Sequence, residues 1–454
     1  MRKLLLGTTA VAASALFAPH DALAQAADPF LPAGPPMMSQ RALEVRVGGY
    51  FRFNYSFTDQ DRANANGRPG PVAAGAPAGP LQTANIGKSD FSSDAEIHIT
   101  ANGKAANGLR YGVAIELQVD INDGSFSPVQ GSGRNSSNKT NINTDEMWMF
   151  VAGDFGQIRF GDKDGILNLI QSGHVANFGT GGADGDYYDQ QIGFGRVGTS
   201  YTVDLGDSTK VTYLSPQFFG FDFGASFAFN TGEGEDTGCI LDYASAACDR
   251  ANGYSGAPRR RNETQLGVRW RGSFGGVGLS ATGGIVLADP TKVTAASSTG
   301  AVTAQSAMPI RTGYAGVSAT AFGFLIGGEY YWGQSNTTYT PLQRGGLNNG
   351  TAIPDTHRMS QFFAGVSYTL DALTVGANWS DSTTAGVQTI NAARHQYAWS
   401  VGATYRVAPG LELVAEYVKA GVRERGYDLV NATRGGGNNS ITTDQVLVGT
   451  RIAF

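Results

Sequence analysis

The feature that most constrains this chain is a repeated alternation of apolar and polar residues over segments of about ten positions. The stretch VRVGGYFRFNYSF shows it clearly, because successive side chains of an extended strand point to opposite faces. One face carries Val45, Val47, Phe51, Phe53, Tyr55 and Phe57. The other carries Arg46, Arg52 and Asn54. Strands that are apolar on one side and charged on the other are typical of barrels that cross a membrane.

Sixteen segments show this strand pattern, an even number as bacterial barrels require. They are 43–57, 91–101, 109–121, 145–153, 157–161, 208–215, 219–229, 262–272, 277–287, 311–320, 323–333, 358–369, 373–380, 395–407, 411–422 and 443–454. Short connections such as GDFG alternate with long ones rich in glycine, asparagine and serine. We therefore expect an all-β protein, a 16-stranded antiparallel transmembrane β-barrel with short periplasmic turns and long extracellular loops.

The N-terminal residues have the pattern of a secretory signal peptide. Arg2 and Lys3 precede an apolar stretch, and small residues stand at Ala22 and Ala24. We expect a signal peptide over 1–24, a periplasmic extension over 25–42 and the barrel over 43–454. After the signal no apolar run reaches the roughly 18 residues that a membrane helix needs. The formal net charge of −5 argues against a nucleic-acid partner.

Three stretches carry a family resemblance: VAGDFGQIRFGD at 151–162, YLSPQFFGFDFGASF at 213–227, and the terminal RIAF. With these the chain resembles the general-diffusion porins of Gram-negative outer membranes, most of all the alphaproteobacterial type. The resemblance implies a water-filled channel in the cell outer membrane for passive diffusion of small hydrophilic solutes and ions, and no enzymatic activity. It also implies a homotrimer that contacts outer-membrane lipid and lipopolysaccharide. Phe454 would be the signal read by the barrel insertion machinery.

Other functions are less well supported by the residues. A substrate-specific channel for sugars or organic acids is the alternative, and it would show an aromatic stripe or a lysine ladder along the lumen. The sequence shows neither. An enzyme would need catalytic groups that converge, whereas the four histidines after the signal are scattered without a motif. These are His98, His174, His357 and His395.

The connection after RFGD carries the apolar run ILNLI, which an exposed loop hardly needs. The resemblance implies that this third long loop folds into the pore and constricts it. The expected anchor against the wall is Ile166, Leu167, Leu169 and Ile170. A short amphipathic turn outside the barrel is the alternative. Nearby, Trp148 and Phe150 belong to MWMFV, which is apolar on both faces. Either this strand contacts a neighbouring subunit, or the two rings pack under the inserted loop.

Charges near the third loop are expected to control ion selectivity, with a weak preference for cations. The acidic residues there are Asp162, Asp164, Asp184, Asp186 and Asp189. Arginines at expected lumen positions are Arg46, Arg52, Arg110, Arg159, Arg269, Arg271, Arg406 and Arg451. As opposed rows they would impose a transverse field, as the resemblance implies. The alternative is that these arginines pair with lumen acids such as Asp94, Glu96, Glu116, Glu412 and Glu416.

No cofactor is required by this interpretation, although calcium is a candidate. Asp184, Asp186 and Asp189 stand among glycines, and such carboxylates suit a hard cation. The resemblance supports a calcium site near the constriction, with solvated loop acids as the alternative.

The two cysteines are the remaining candidates for covalent chemistry. Cys239 and Cys248 lie in the same long loop of a chain that is expected to be exported. Because the periplasm is oxidising, we expect them to form a disulfide.

Overall fold

Sixteen strands form one closed antiparallel barrel, as the alternation predicts. The computed structural model describes residues 43–61, 87–119, 142–188, 190–191, 207–231, 260–290, 293–296, 302–335, 343–344, 358–386, 392–429, 433–435 and 437–454. The barrel strands are β1 (Glu44–Gln60), β2 (Ser89–Lys104), β3 (Arg110–Val119), β4 (Asn143–Gly153), β5 (Gly156–Asp162), β6 (Thr209–Leu214), β7 (Phe221–Ala228), β8 (Arg260–Phe274), β9 (Val277–Pro290), β10 (Ile310–Ala321), β11 (Phe324–Gln334), β12 (Met359–Leu370), β13 (Leu373–Thr384), β14 (Arg394–Ala408), β15 (Leu411–Glu424) and β16 (Ser440–Ala453).

The strand ends differ from the sequence prediction chiefly on the side of the long loops, where several strands continue further. There β1 and β16 still pair at Asp59 with Asp444 and at Gln60 with Thr443. These residues are polar, so hydrophobic alternation gives no signal for them, although their backbones remain hydrogen-bonded. The expected signal peptide and extension lie outside the described residues, as do Asp189, Cys239 and Cys248.

The first and last strands close the barrel, and this removes the exposed sheet edges. Tyr50 of β1 is paired with Ala453 of β16. The Phe454 amide donates to the Gly49 carbonyl over 3.0 Å, and the Gly49 amide donates to a Phe454 oxygen over 3.0 Å. The backbone of Phe454 is therefore hydrogen-bonded into the barrel wall. Its ring is exposed, like the other outward-facing apolar side chains of the barrel.

Exposure along each strand is the reverse of that in a soluble protein. Phe51, Phe53 and Phe57 of β1 are exposed, whereas Arg52 and Asn54 between them are buried. The same alternation continues in β14 and β16. An apolar outer face and a polar inner face follow from lipid outside and water inside.

Strand β4 places its apolar residues on both faces. Met149 points outward and is exposed, whereas Trp148 and Phe150 are buried on the inner side. The guanidinium of Arg159 lies 4.7 Å from the centre of the Trp148 ring. Burial within the chain therefore accounts for the two inner rings without a neighbouring subunit.

Among the described residues, regular structure outside the barrel lies in the long connections. In the part of the chain that the structure describes, no helix is long and apolar enough to cross a membrane. The connection between β5 and β6, the third loop, contains the helix α1 (Ile166–Leu169) and the 3-10 turns Gly182–Asp184 and Asp186–Tyr188. Short strands at Val293–Ala296, Val302–Ala307 and Gln343–Arg344 form a small sheet, and Tyr427–Asp428 pairs with Thr433–Arg434.

Candidate functional site: the channel wall and the third loop

The third loop packs against the inner wall of the barrel, as the ILNLI run predicts. Ile166, Leu167 and Ile170 are completely buried, and Leu169 packs beside them. Their partners are inner-wall residues of β9 to β12, namely Val286, Ala288, Ile310, Tyr314, Tyr331 and Met359. The apolar turn is therefore an anchor inside the barrel.

Polar contacts continue this attachment across the next strands. The Leu167 amide donates to Gln265 Oε1 of β8 over 3.2 Å. The Ser172 amide donates to the Tyr314 hydroxyl of β10 over 3.1 Å, and that hydroxyl donates to the Ser172 carbonyl over 2.7 Å. Both backbone hydrogen-bonding groups of Ser172 are thus satisfied by one wall side chain.

The second half of the described loop follows the wall onward to β1. The Ala183 amide donates to Asn378 Oδ1 of β13 over 2.8 Å. The Thr180 amide donates to Glu416 Oε2 of β15 over 2.8 Å. Since these contacts lie on strands spread around the barrel, the loop lines most of the inner circumference and narrows the channel.

Glycines on the inner face make this close approach feasible. A Cβ atom at Gly284 would overlap the Leu167 side chain, and one at Gly316 would overlap the Ser172 carbonyl. Similar crowding by the third loop occurs at Gly224, Gly267, Gly327, Gly365 and Gly376. These seven glycines form a belt around the inner wall, the glycine belt, which was not predicted from the sequence. The signal was present as 63 glycines, but their alignment on neighbouring strands depends on the register.

The arginines do not form one row around a narrow zone, and this corrects the sequence expectation. Arg269 and Arg271 both donate to the Asp222 carboxylate, at 2.9 and 2.8 Å. Arg159 donates to Gln157 over 3.1 Å, and Arg451 lies 5.0 Å from the centre of the Tyr50 ring.

Three of the arginines lie at the turn ends of their strands instead. Arg46 is half-exposed beside Glu44, at 2.5 Å, near the start of β1. Arg110 is the first residue of β3, and the exposed Arg406 lies near the end of β14. Alternation in the sequence indicates which face a residue occupies but not its depth in the barrel, and so it did not separate these three from the others.

The expected acidic residues of the third loop also have nearby partners. Asp162 accepts a hydrogen bond from Thr209, and Asp164 accepts one from Asn168. Asp186 lies 2.7 Å from Arg52 Nη1, and Asp184 lies 3.4 Å from His174 Nε2. Asp184 and Asp186 are therefore beside cationic or protonatable groups, and the calcium expectation for them stays a prediction.

A second group of acids lies where β2, β3 and β4 approach the two ends of the third loop, near Asp164 and Asp207. We call these two ends the loop root. We call the group of acids the acidic row: Glu96, Glu116, Glu146, Asp164 and Asp207. A bulge in the β3–β4 pairing sets Glu116 beside Asp145 and Glu146. Lys163 Nζ lies 2.6 Å from both Glu146 oxygens. Two groups of three residues have potential metal-ligand atoms close together. Within each group these atoms lie within 4.8 Å of one another, and the groups are Glu96, His98 and Glu116, and Glu146, Asp164 and Asp207.

Electrostatics at the loop root reflect this crowding. Burial, together with the charges of Asp164 and Glu146, raises the pKa of Asp207 to about 9, although Lys210 opposes the shift. Sequence reasoning placed Glu96 and Glu116 in the lumen but missed Glu146 and Asp207, because only the register brings these four carboxylates together.

His174 of the third loop lies between two carboxylates. Its Nε2 is 3.4 Å from Asp184, its Nδ1 is 3.7 Å from Glu329, and its ring stacks on Phe363 at 4.4 Å. Burial lowers the pKa of His174, but the hydrogen bond to Asp184 and the charges of Glu329 and Asp184 outweigh it, so the net pKa is raised. A protonated His174 would hold the loop against β11.

A closed 16-stranded barrel with a polar interior and an inserted loop defines a transmembrane channel. The chain belongs to the Gram-negative porin family, whose profile matches residues 7–425. It is therefore an outer-membrane channel for passive diffusion of small hydrophilic solutes and ions, and its family and fold are those of non-enzymatic channels.

Two of the solved structures that are similar to this chain have low sequence identity. A variant of the Rhodobacter blastica porin is 14% identical, with 90% of this chain and 100% of that chain covered and a TM-score of 0.47. A loop-deletion variant of OmpT, an outer membrane protein of Vibrio cholerae, is 16% identical, with 91% and 100% covered and a TM-score of 0.49. No curated protein sequence matches the chain.

Proposed function

We propose that this porin is a general-diffusion channel with a weak preference for cations, and that the acidic row sets the preference. The observation that supports it is the contrast between three arginines with carboxylate partners and one buried carboxylate oxygen of the row. Arg52, Arg269 and Arg271 are each within 3 Å of a carboxylate. By contrast, Oε1 of the buried Glu116 has no hydrogen-bond partner among the described residues.

The balance of charge at the loop root favours cations. Five carboxyl groups form the acidic row, of which Asp207 gains its charge only at alkaline pH, and the nearby lysines are Lys163 and Lys210. Low-dielectric walls focus the field of such a group into the water beside it, which raises the local concentration of cations. Salt screens this field over about 10 Å at 0.1 M, so the preference should shrink as ionic strength rises.

General diffusion is favoured over a substrate-specific path by the placement of the inner aromatic rings. Tyr314, Tyr331 and Phe363 point inward, but all are buried, and the third loop packs against them. Rings covered in this way do not offer a stacking surface to a passing sugar.

The test is the reversal potential of single channels in a potassium chloride gradient at about pH 10, where Asp207 also carries its negative charge. The triple variant Glu116→Gln, Asp164→Asn and Asp207→Asn is expected to lose most of the cation preference. A matched double variant, Asp184→Asn with Asp186→Asn, is expected to change it less, because both residues have basic partners. If the reversal potential were unchanged in the triple variant but changed strongly in the double variant, the proposal would be refuted. Selectivity would then be set by Asp184 and Asp186 and not by the acidic row.

We also propose a homotrimer in outer-membrane lipid and lipopolysaccharide, inserted through recognition of Phe454 by the barrel insertion machinery. Family membership supports this assembly, and the exposed outer apolar residues supply surface for both lipid and subunits. Chemical cross-linking in membranes should give a trimer. Deleting Phe454 should reduce insertion, whereas Phe454→Tyr should preserve it. Detection of monomers alone would contradict the trimer. Normal membrane insertion of the variant that lacks Phe454 would contradict its role as the insertion signal.

A further inference from the structure

Three metal-ligand side chains meet on the inner face of β2 and β3. His98 and Glu116 are directly paired across the two strands, and Glu96 lies two residues before His98 on the same face. Their ligand atoms all lie within 4.8 Å of one another. We propose that Glu96, His98 and Glu116 bind a divalent transition-metal ion of the zinc type at the channel wall. This inference does not rest on the proposed cation preference.

The second observation is a buried oxygen without a partner. Glu116 is only 6% exposed, and its Oε1 accepts no hydrogen bond from any described residue. A buried carboxylate without compensation is costly, and a neighbouring carboxylate increases the cost. Glu96 is that neighbour, and its side chain is hydrogen-bonded to Glu116, so a cation between the two would replace a shared proton and stabilise both carboxylates in their charged form.

The ligand set selects the kind of ion. Carboxylate oxygens alone suit calcium and magnesium, whereas an imidazole nitrogen suits zinc, copper, nickel and iron. Open zinc sites have three protein ligands with water in the fourth position, and both imidazole nitrogens and carboxylate oxygens serve as ligands of zinc. We therefore expect zinc to bind more tightly than calcium.

The surroundings of the site favour binding. The Tyr50 hydroxyl donates to Glu96 Oε2 over 2.9 Å, which orients this carboxylate as outer partners of metal ligands commonly do. His98 Nε2 and Glu96 Oε1 are in hydrogen-bond contact. The ion would replace the proton between them. The His98 side chain is 18% exposed and offers the route by which an ion can enter from the channel.

The direct test is calorimetric titration of the purified, untagged porin in detergent with zinc chloride. We expect one site per chain, and a loss of affinity of at least about tenfold in each of the variants His98→Asn and Glu116→Gln. His395→Asn is the matched control. It removes a histidine that lies 2.9 Å from Asp381 but belongs to no three-ligand group among the described residues. This variant should bind zinc like the wild type.

A spectroscopic measurement on the wild type avoids any dependence on variants that fold poorly. Cobalt(II) bound at the site should give a visible d–d absorption band with the intensity typical of a low coordination number. Addition of zinc should abolish this band, whereas addition of calcium should not. Absence of zinc binding, equal displacement by calcium, or unchanged affinity in both His98→Asn and Glu116→Gln would overturn the proposal. Because the readouts are binding and absorption, they are independent of the reversal potential that tests cation preference.

Discussion

Arg52 of β1 and Asp186 of the third loop form an ion pair of 2.7 Å, although 134 residues separate them in the chain. Arg52 also donates to Asp94 of the neighbouring strand. One guanidinium thus attaches the far end of the inserted loop to the barrel wall.

Replacement of Arg52 by alanine should release this end of the loop, because it leaves Asp94 and Asp186 as two carboxylates without their shared cation. Removing one partner of a buried pair costs about 3–5 kcal/mol. We expect lower thermal stability in heat-modifiability gels and more frequent current fluctuations in single channels. Arg406→Ala removes an exposed arginine and is the control. Equal behaviour of the two variants would argue against a role of Arg52 in holding the loop.

Alanine at Gly284 should displace the third loop from the wall. Its Cβ would overlap Leu167 and would also lie 2.6 Å from the Leu266 carbonyl, and overpacking of this kind costs about 1–3 kcal/mol. Gly283→Ala is the matched control, since the nearest atom to its Cβ is 3.9 Å away. Thermal unfolding followed by circular dichroism should show a loss only in Gly284→Ala. Comparable losses in both variants would contradict the glycine belt.

Stability should fall as His174 loses its proton. Because the folded-state pKa of His174 is raised above its ordinary value of 6.5, protonation stabilises the fold. This contribution is complete below that ordinary value and is lost as the pH rises through the raised folded-state value. Melting temperatures between about pH 6 and about pH 9 should decline in the wild type and less steeply in His174→Gln. Parallel curves would exclude His174 as the cause.

Cation preference should increase at alkaline pH through Asp207. Its pKa is raised to about 9, so the carboxyl is largely neutral at pH 7 and gains its negative charge above that value. Reversal potentials measured at about pH 7 and about pH 10 should differ more in the wild type than in Asp207→Asn. The same increment in both proteins would show that other groups produce it.

A disulfide between Cys239 and Cys248 is predicted from the oxidising periplasm. Thiol labelling of the denatured, unreduced protein should detect no free cysteine, and labelling after reduction should detect both. Two labelled thiols before reduction would refute the bridge. The variant Cys239→Ser should expose one thiol at Cys248.

The sequence by itself determined the strands and their faces. Lipid outside and water inside require apolar side chains on one face and polar side chains on the other. Apolar and polar residues therefore alternate along segments such as the one that contains Phe51 and Arg52. All sixteen strands were predicted for that reason. The apolar run at Ile166 likewise indicated a buried anchor, because exposure of such a run to water is unfavourable.

Only the tertiary structure decided which inward residues meet. A shift along the barrel axis preserves the face of a residue but changes its depth and its neighbours, so alternation did not distinguish Arg52, paired with the loop, from Arg406 at a turn end. The acidic row and the glycine belt arise from the register between neighbouring strands and from where the third loop packs on them. Backbone hydrogen bonds and the bulge beside Glu116 set that register, and neither leaves a periodic signal in the sequence.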